Sequence, residues 1–314
     1  MLDDVVFSPS NITLDNLTAL AKKSARIAEQ RACEISELAD GALAFSRELY
    51  SSGMGIYEIL SLVAEGFSAT DDTTDGCELA LGSAHSGFIS SFDRAELALL
   101  FVDRLRSAGI SISPRDLLPS VERDGRIVYV KNALADEAYD VFTADIENPT
   151  VSYAASLKDA ADAVASGAAS YCLLPLEERG GSRLAPVSEI IFRRDLRICG
   201  ITPVFGFDGN ADMKYALASK AFSIPEIYED DDRYLEICLD VSGEVTLSEI
   251  LTAADLLQIL PYRVNTVVFY TEDGQKTNYS IVFKGEGKDY SDLLIYLTLF
   301  CGTYVPIGIY KNLE

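Results

Sequence analysis

Hydrophobic residues recur at three- and four-residue intervals through the first part of the chain. The spacing predicts a long amphipathic helix with apolar positions at Leu14, Leu17, Ala21, Ala25, Ala28, Ala32, Ile35, Leu38, Ala42, Phe45 and Leu49. Gly53 ends this pattern, and residues 55–67 predict a second, shorter helix. The polar, acidic residues 68–76 predict a linker. The helical pattern returns over residues 92–108, and a short helix is predicted from Pro114 to Leu118.

From residue 126 onwards, short apolar runs alternate with helical segments. The predicted strands are residues 127–130, 151–153, 171–174, 196–201 and 212–222, and the predicted helices are 134–142, 157–165 and 187–192. This alternation predicts a mainly parallel sheet with crossover helices. The third strand runs into Pro175, Glu177 and Glu178. Ligands of α/β sheets usually bind at such a strand end, but acidic residues are commonly exposed, so the spacing alone favours a solvated loop for Glu177 and Glu178.

After an acidic linker at residues 225–232, the order becomes strand, helix, strand, strand, helix, strand. The strands are residues 234–241, 262–270, 277–283 and 304–310, and the helices are 247–260 and 290–301. This is the ferredoxin-like βαββαβ order. The predicted fold is therefore mixed, α+β and α/β, with four segments: a helical region 1–75, a helical connection 76–125, an α/β lobe 126–225 and a ferredoxin-like domain 232–314.

The composition excludes several classes of function. Asp and Glu number 49 against 26 Lys and Arg, a formal net charge of −23, which argues against binding to nucleic acids or anionic membranes. His85 is the only histidine and the six cysteines form no CxxC pair, so neither a metal site nor a cofactor is predicted. The sequence has no long apolar run and no evident signal peptide, and its cysteines suit a reducing compartment, so we expect a cytoplasmic protein.

Two stretches carry a family resemblance. The predicted strand 171–174 continues into Pro175-Leu176-Glu177-Glu178-Arg179, and the chain closes with Gly302-Thr303-Tyr304-Val305-Pro306-Ile307-Gly308-Ile309-Tyr310. The first is similar to the Pro-Ile-Glu-Asn-Ser/Thr segment of prephenate dehydratase, and the second to the last strand of that family's ACT domain. Residues 126–314 thus resemble a truncated dehydratase with one lobe of periplasmic-binding-protein type and a C-terminal ACT-like domain. The resemblance implies a homodimer that forms through the ACT-like domain.

The chain departs from this family where catalysis occurs. Residues 131–135, Lys-Asn-Ala-Leu-Ala, stand in place of a Gly-Pro-x-Gly-Thr-Phe loop, and Met213-Lys214-Tyr215 stands in place of the Thr-Arg-Phe signature. A lysine cannot form the two parallel hydrogen bonds of an arginine with a carboxylate. Met213 follows Glu177 by only 36 positions, which leaves no room for the family's second lobe. Residues 76–120 are the candidate for replacing that lobe in space.

Candidate site residues follow from the resemblance alone. Glu177, Met213 and Lys214 occupy the inherited catalytic positions, and no residue is assigned a catalytic role. The candidate ligand-binding residues are Asn132, Glu177, Glu178 and Lys214 in the lobe, and Gly243, Glu244 and Val245 in the ACT-like domain.

Three functions are consistent with this sequence. The leading hypothesis is a non-catalytic relative with a regulatory role that binds an amino acid or a small carboxylate. The first alternative is an active prephenate dehydratase, a carbon–oxygen lyase that converts prephenate to phenylpyruvate in phenylalanine biosynthesis. The second is a structural or partner-binding protein that dimerises through its helices and its ACT-like domain.

Overall fold

The computed structural model describes residues 14–68, 91–118, 120, 125–144, 146, 148–205, 211–226, 232–241, 245–271, 274–287 and 289–313. The helices are α1 (Leu14–Ser51), α2 (Ile56–Ser68), α3 (Ser91–Ser107), α4 (Pro114–Leu117), α5 (Ala133–Thr143), α6 (Leu157–Ala165), α7 (Ala185–Arg193), α8 (Leu247–Leu256) and α9 (Ser291–Phe300). The strands are β1 (Arg126–Tyr129), β2 (Thr150–Tyr153), β3 (Tyr171–Glu178), β4 (Arg197–Phe205), β5 (Ala211–Ser219), β6 (Asp232–Asp240), β7 (Leu260–Thr271), β8 (Gly274–Glu286) and β9 (Val305–Lys311). Among the described residues, none of these helices has the length and apolar content needed to cross a membrane.

The N-terminal helices form where the periodicity predicts them, but the apolar stripe of α1 is buried only in its C-terminal half. Helix α1 is 38 residues long and ends before Gly53, whose φ of 88° is a left-handed conformation that glycine adopts at little cost. Residues 18–34 of α1 are exposed, and Ile35 is its first buried apolar side chain. The C-terminal half of α1 packs on α3. The predicted linker lies, apart from Ser68, outside the described residues.

The first sheet has the strand order β2-β1-β3-β5-β4. Strand β1 pairs in parallel with both β2 and β3, whereas β5 is antiparallel to both β3 and β4. The prediction of a mainly parallel sheet was therefore wrong for half of its pairings. Only five residues separate β4 from β5, which is too few for a crossover, so the chain returns antiparallel.

This sheet is covered on both faces. Helix α5 packs on one face, with Ile127, Tyr129, Leu173, Tyr215 and Leu217. Helices α6 and α7 pack on the other face, whose buried residues include Val128, Cys172, Leu174, Ala216 and Ala218. Alternate residues of β3 and β5 thus point to opposite faces, as strand geometry requires.

The second sheet confirms the ferredoxin-like prediction. Its order is β7-β8-β6-β9, and every neighbouring pair is antiparallel. Helices α8 and α9 cover one face, where Leu235, Ile237, Ile281 and Phe283 are buried. Mixed α+β architecture with two sheets is therefore the fold of this chain.

Both faces of the C-terminal domain are occupied by the rest of the chain. Helices α2 and α3 pack on α9, and α3 also packs on α8, so the N-terminal helices share one core with this domain. Residues 91–118 therefore do not form an opposing lobe over Glu177, whereas residues 76–90 lie outside the described part.

The other face of the second sheet packs on the first sheet. Strand β9 lies against β4 so closely that a Cβ at Gly308 would overlap the carbonyl oxygen of Ile198. Side chains from both sheets, among them Ile198, Ile307 and Tyr310, share one buried cluster. The end of β3 therefore faces protein rather than an open cleft.

Candidate functional site

Glu177 lies near the end of β3, opposite Lys214 of β5. The Lys214 Nζ is 3.7 Å from the Glu177 Oε2. Arg263 of β7 donates to both carboxylate oxygens, with its Nη2 3.4 Å from Oε2 and its Nη1 in direct contact with Oε1. Glu177 is only 4% exposed. The carboxylate singled out from the sequence is thus held by two cations, one of which comes from the second sheet.

A second carboxylate lies in the same interface. Glu236 of β6 accepts two hydrogen bonds from Arg183, Nη1 to Oε2 at 3.0 Å and Nη2 to Oε1 at 2.8 Å. The Tyr310 hydroxyl donates to its Oε2 at 2.9 Å, and the Ser280 hydroxyl donates to its Oε1 at 3.0 Å. Arg183 and Glu236 are both buried. We refer to Glu177, Lys214, Arg263, Arg183, Glu236, Tyr310 and Ser280 together as the interface network.

Burial and charge act in opposite directions on the arginines of this network. Burial alone would lower the pKa of Arg183, but the Glu236 carboxylate outweighs it and the pKa is raised. Burial would also lower the pKa of Arg263, but the hydrogen bond and the charge of Glu177 outweigh burial, so this pKa is raised as well. Burial and the Glu236 charge both raise the pKa of Tyr310 well above its ordinary value. Both guanidiniums therefore stay charged and the phenol stays protonated at neutral pH.

A small cavity borders the Glu236 part of the interface network. This cavity of about 20 Å³ lies beside Arg183, Glu236, Cys238 and Ser280, which is enough for a single water molecule. Arg183 Nε is a buried donor that finds no hydrogen-bond partner among the described residues, so a water molecule in this cavity would have a donor beside it. Among the described residues, no three His, Cys, Asp or Glu side chains come together as a metal site would require.

Asn132 lies on the opposite face of the first sheet. Its Oδ1 accepts a hydrogen bond from the Ala135 backbone N–H at 2.9 Å, which caps α5, and another from the Tyr215 hydroxyl at 3.3 Å. Met213 and Tyr215 both pack in the cluster around α5, so Lys214 between them points to the other face. The structure therefore brings Lys214 to Glu177 but keeps Asn132 and Met213 apart from that pair.

The remaining candidates do not converge on Glu177. Glu178 is exposed, and Val245 is buried in the core shared with the N-terminal helices. Gly243 and Glu244 lie outside the described residues. Sequence reasoning missed Arg183, Glu236, Arg263 and Tyr310. The only signal was a charged residue inside an apolar strand pattern, at Glu236 and Arg263.

Neither a protein-family model nor a curated protein matches this chain. Similar solved structures include the prephenate dehydratase of Streptococcus mutans, 14% identical, covering 60% of this chain and 98% of that one, with a TM-score of 0.48. GqqA, described as a novel type of quorum quenching acylase, is 16% identical over 59% of this chain and 95% of that one, with a TM-score of 0.44. The prephenate dehydratase of Arthrobacter aurescens, in complex with L-Phe, is 13% identical over 59% of this chain and 89% of that one, with a TM-score of 0.44. At these identities the likeness is one of fold alone.

Proposed function

We propose that this chain is a non-catalytic, prephenate dehydratase-like protein whose C-terminal domain is an ACT-like module. One observation carries the proposal: the carboxylate at the inherited position, Glu177, is buried and neutralised by Arg263 and Lys214. A carboxylate that acts as a general acid or base must reach the proton that it transfers. Glu177 instead faces the second sheet, where Arg263 covers both of its carboxylate oxygens.

The replacement of the family's arginine supports the same proposal. Lys214 stands at that position, and its ammonium group is already within ion-pair distance of Glu177. A lysine is a point charge and cannot hold a substrate carboxylate in a fixed orientation as a guanidinium does. Without such orientation, a large part of the catalytic advantage of an enclosed site is lost.

The test is incubation of the purified full-length chain with prephenate at pH 8, with phenylpyruvate measured by its absorbance in alkali. We expect no product above the rate in buffer, whereas an active prephenate dehydratase in the same assay serves as the positive control. Glu177→Gln is the matched variant. Turnover by the wild-type chain that disappears in this variant would establish the alternative, an active dehydratase that uses Glu177.

The second part of the proposal is that the ACT-like module binds a small ligand. The proposed ligand of the ACT-like module is an amino acid or a small carboxylate, with Gly243, Glu244 and Val245 as the candidate positions. A thermal-shift screen over the amino acids accompanies the turnover assay. Absence of any shift, together with absence of turnover, would favour the structural alternative. The proposed location is a reducing compartment such as the cytoplasm, which suits the buried thiols of Cys172, Cys238 and Cys301.

A homodimer through the C-terminal sheet is the proposed assembly. The helical face of this sheet is covered by α2 and α3, and the edge strand β9 lies against β4. Strand β7 is the other edge, 12 residues long, with exposed apolar side chains at Leu260, Tyr262, Val264 and Val268. Among the described residues, no strand pairs with the outer edge of β7. A free edge of this length is a template for pairing with another strand, and a second β7 related by a two-fold axis would pair antiparallel.

A further inference from the structure

A cleft of about 920 Å³ lies away from the interface network, where the N-terminal helices meet the C-terminal domain. Its walls come from α2, from α4 and from the turn between α9 and β9. Segments far apart in the chain thus build one concave surface. The volume is in the range of small-molecule sites.

The charges of the cleft are of one sign. Glu58 and Asp116 line it, and no Lys, Arg or His is among the described residues that do so. Glu58 is exposed in the first turn of α2 and has no ion-pair partner in the described part of the chain. The Asp116 Oδ2 accepts from both the backbone N–H and the hydroxyl of Ser113, each at 2.7 Å, so this carboxylate is held in place.

Aromatic rings supply the apolar part of the cleft. Tyr57, Phe222 and Tyr304 line it. The Tyr304 hydroxyl lies 3.1 Å from the Thr298 Oγ1, and burial raises the pKa of Tyr304 to about 12, so the ring stays neutral. Aromatic faces attract cations, and Phe222 illustrates this because the Arg197 guanidinium lies 5.1 Å from its centroid.

The cations around the cleft do not neutralise it. Neither Arg197 nor Arg115 lines it: Arg197 is paired with Asp195 at 2.5 Å, and the Arg115 guanidinium is held 3.5 Å from the Ile224 carbonyl. The N-terminus of α2 also faces the cleft, and its partial positive charge would favour an anion. Glu58 already places a negative charge in that first turn, which offsets the helix dipole.

We propose that this cleft binds an organic cation with an apolar body, specifically an aliphatic di- or polyamine. Two carboxylates suit two ammonium groups, and the three rings suit the methylene chain between them. This site is separate from the interface network and from the ACT-like positions, so it stands whether or not the chain has dehydratase activity.

Isothermal titration calorimetry tests the proposal with putrescine and spermidine as probes, on the full-length chain at 150 mM salt. We expect one amine to bind per chain, and we expect neither the uncharged 1,4-butanediol nor the dianion glutarate to bind. Glu58→Gln should lower the affinity about tenfold, the effect of losing one ion pair of about 1.4 kcal/mol. Because Glu58 is exposed, this variant should unfold at the wild-type temperature.

Glu29→Gln is the matched control because it removes the same charge from the exposed half of α1, about 30 Å along the helix from the end nearest α2. It should leave the affinity within twofold. Equal losses in both variants would mean general attraction of amines to a chain of net charge −23, and would overturn the proposal. Binding of glutarate in place of the amines, or no heat from either amine, would also overturn it.

Discussion

Buried charges at single positions explain how the two sheets are oriented. A carboxylate removed from water is costly unless it is paired and hydrogen-bonded. Glu177 meets this condition through Arg263, which comes from the second sheet. Glu236 meets it through Arg183, which comes from the loop between β3 and α7. A shift of one sheet relative to the other would leave at least one of these charges unpaired. The network therefore selects one arrangement of the sheets.

Asn132 provides a prediction at this scale, because its side chain caps α5 instead of facing Glu177. Asn132→Ala should lower the free energy of unfolding by about 1 kcal/mol, the usual cost of a lost helix cap. Asn132→Asp should retain the wild-type value, since a carboxylate also accepts from the Ala135 N–H and is favoured at a helix N-terminus. Urea unfolding followed by circular dichroism measures both. Equal destabilisation by both substitutions would rule out capping as the role of this residue.

Sequence reasoning reached one half of the charged site and missed the other. Lys214 and Glu177 were both named, and the register of β3 with β5 places them side by side. Arg263 lies 86 positions from Glu177. Nothing in local spacing links the two, because their contact depends on how the second sheet packs on the first. Asn132 was predicted to bind a ligand together with Glu177, but its side chain caps α5, and the face of the sheet on which it lies was not predictable from its position after β1.

At the scale of elements, periodicity predicted most helices and strands because each buries one face. The order of strands within the first sheet was harder to predict. A helix followed by a strand is typical of a parallel crossover, but β5 inserts between β3 and β4 and reverses the direction. In the second sheet, the order of elements was enough, since the βαββαβ sequence has one common arrangement of strands.

Strand β7 provides the prediction at this scale. Val264→Lys with Val268→Lys should convert a dimer into a monomer, because four added charges across the two-fold axis would lie at the paired edge. Size-exclusion chromatography with light scattering measures the mass. The matched variant, Leu20→Lys with Ile27→Lys, places the same charges on exposed apolar positions of α1 and should stay dimeric.

The two variants distinguish the two proposed dimers. Dissociation of the α1 variant alone would place the dimer contact on the N-terminal helices and support the structural alternative. A monomeric wild-type chain would contradict both.

At the scale of the whole molecule, the C-terminal domain connects all other parts. Its helices share a core with α2 and α3, and its sheet packs on the first sheet. Several titratable groups are buried within these two contacts and stay protonated. Burial raises the pKa of Cys238 and of Cys301 to about 11 and that of Tyr296 to about 12, and raises that of Tyr310 further still.

These shifts predict a loss of stability at alkaline pH. The unfolded chain releases protons from Cys and Tyr at their ordinary pKa values, whereas the folded chain retains them, so unfolding becomes more favourable as the pH rises. The stability should be constant up to about pH 8 and fall from about pH 9, by roughly 2 kcal/mol per buried cysteine at pH 11. Urea midpoints at pH 8, 9, 10 and 11 measure this, and recovery at pH 8 controls for chemical damage. A urea midpoint that does not change up to pH 11 would contradict the burial of these cysteine and tyrosine side chains in the folded chain.

Gly308 has a consequence for how mutational maps of this protein are interpreted. The residue lies in β9 with no space for a side chain because the Ile198 carbonyl occupies it. Any substitution there separates the two sheets, even though Gly308 carries no chemical group and contacts no ligand site. In a saturation mutagenesis experiment, Gly308 would rank among the least tolerant positions. Intolerance in this chain therefore marks the seam between its sheets as strongly as it marks any binding surface.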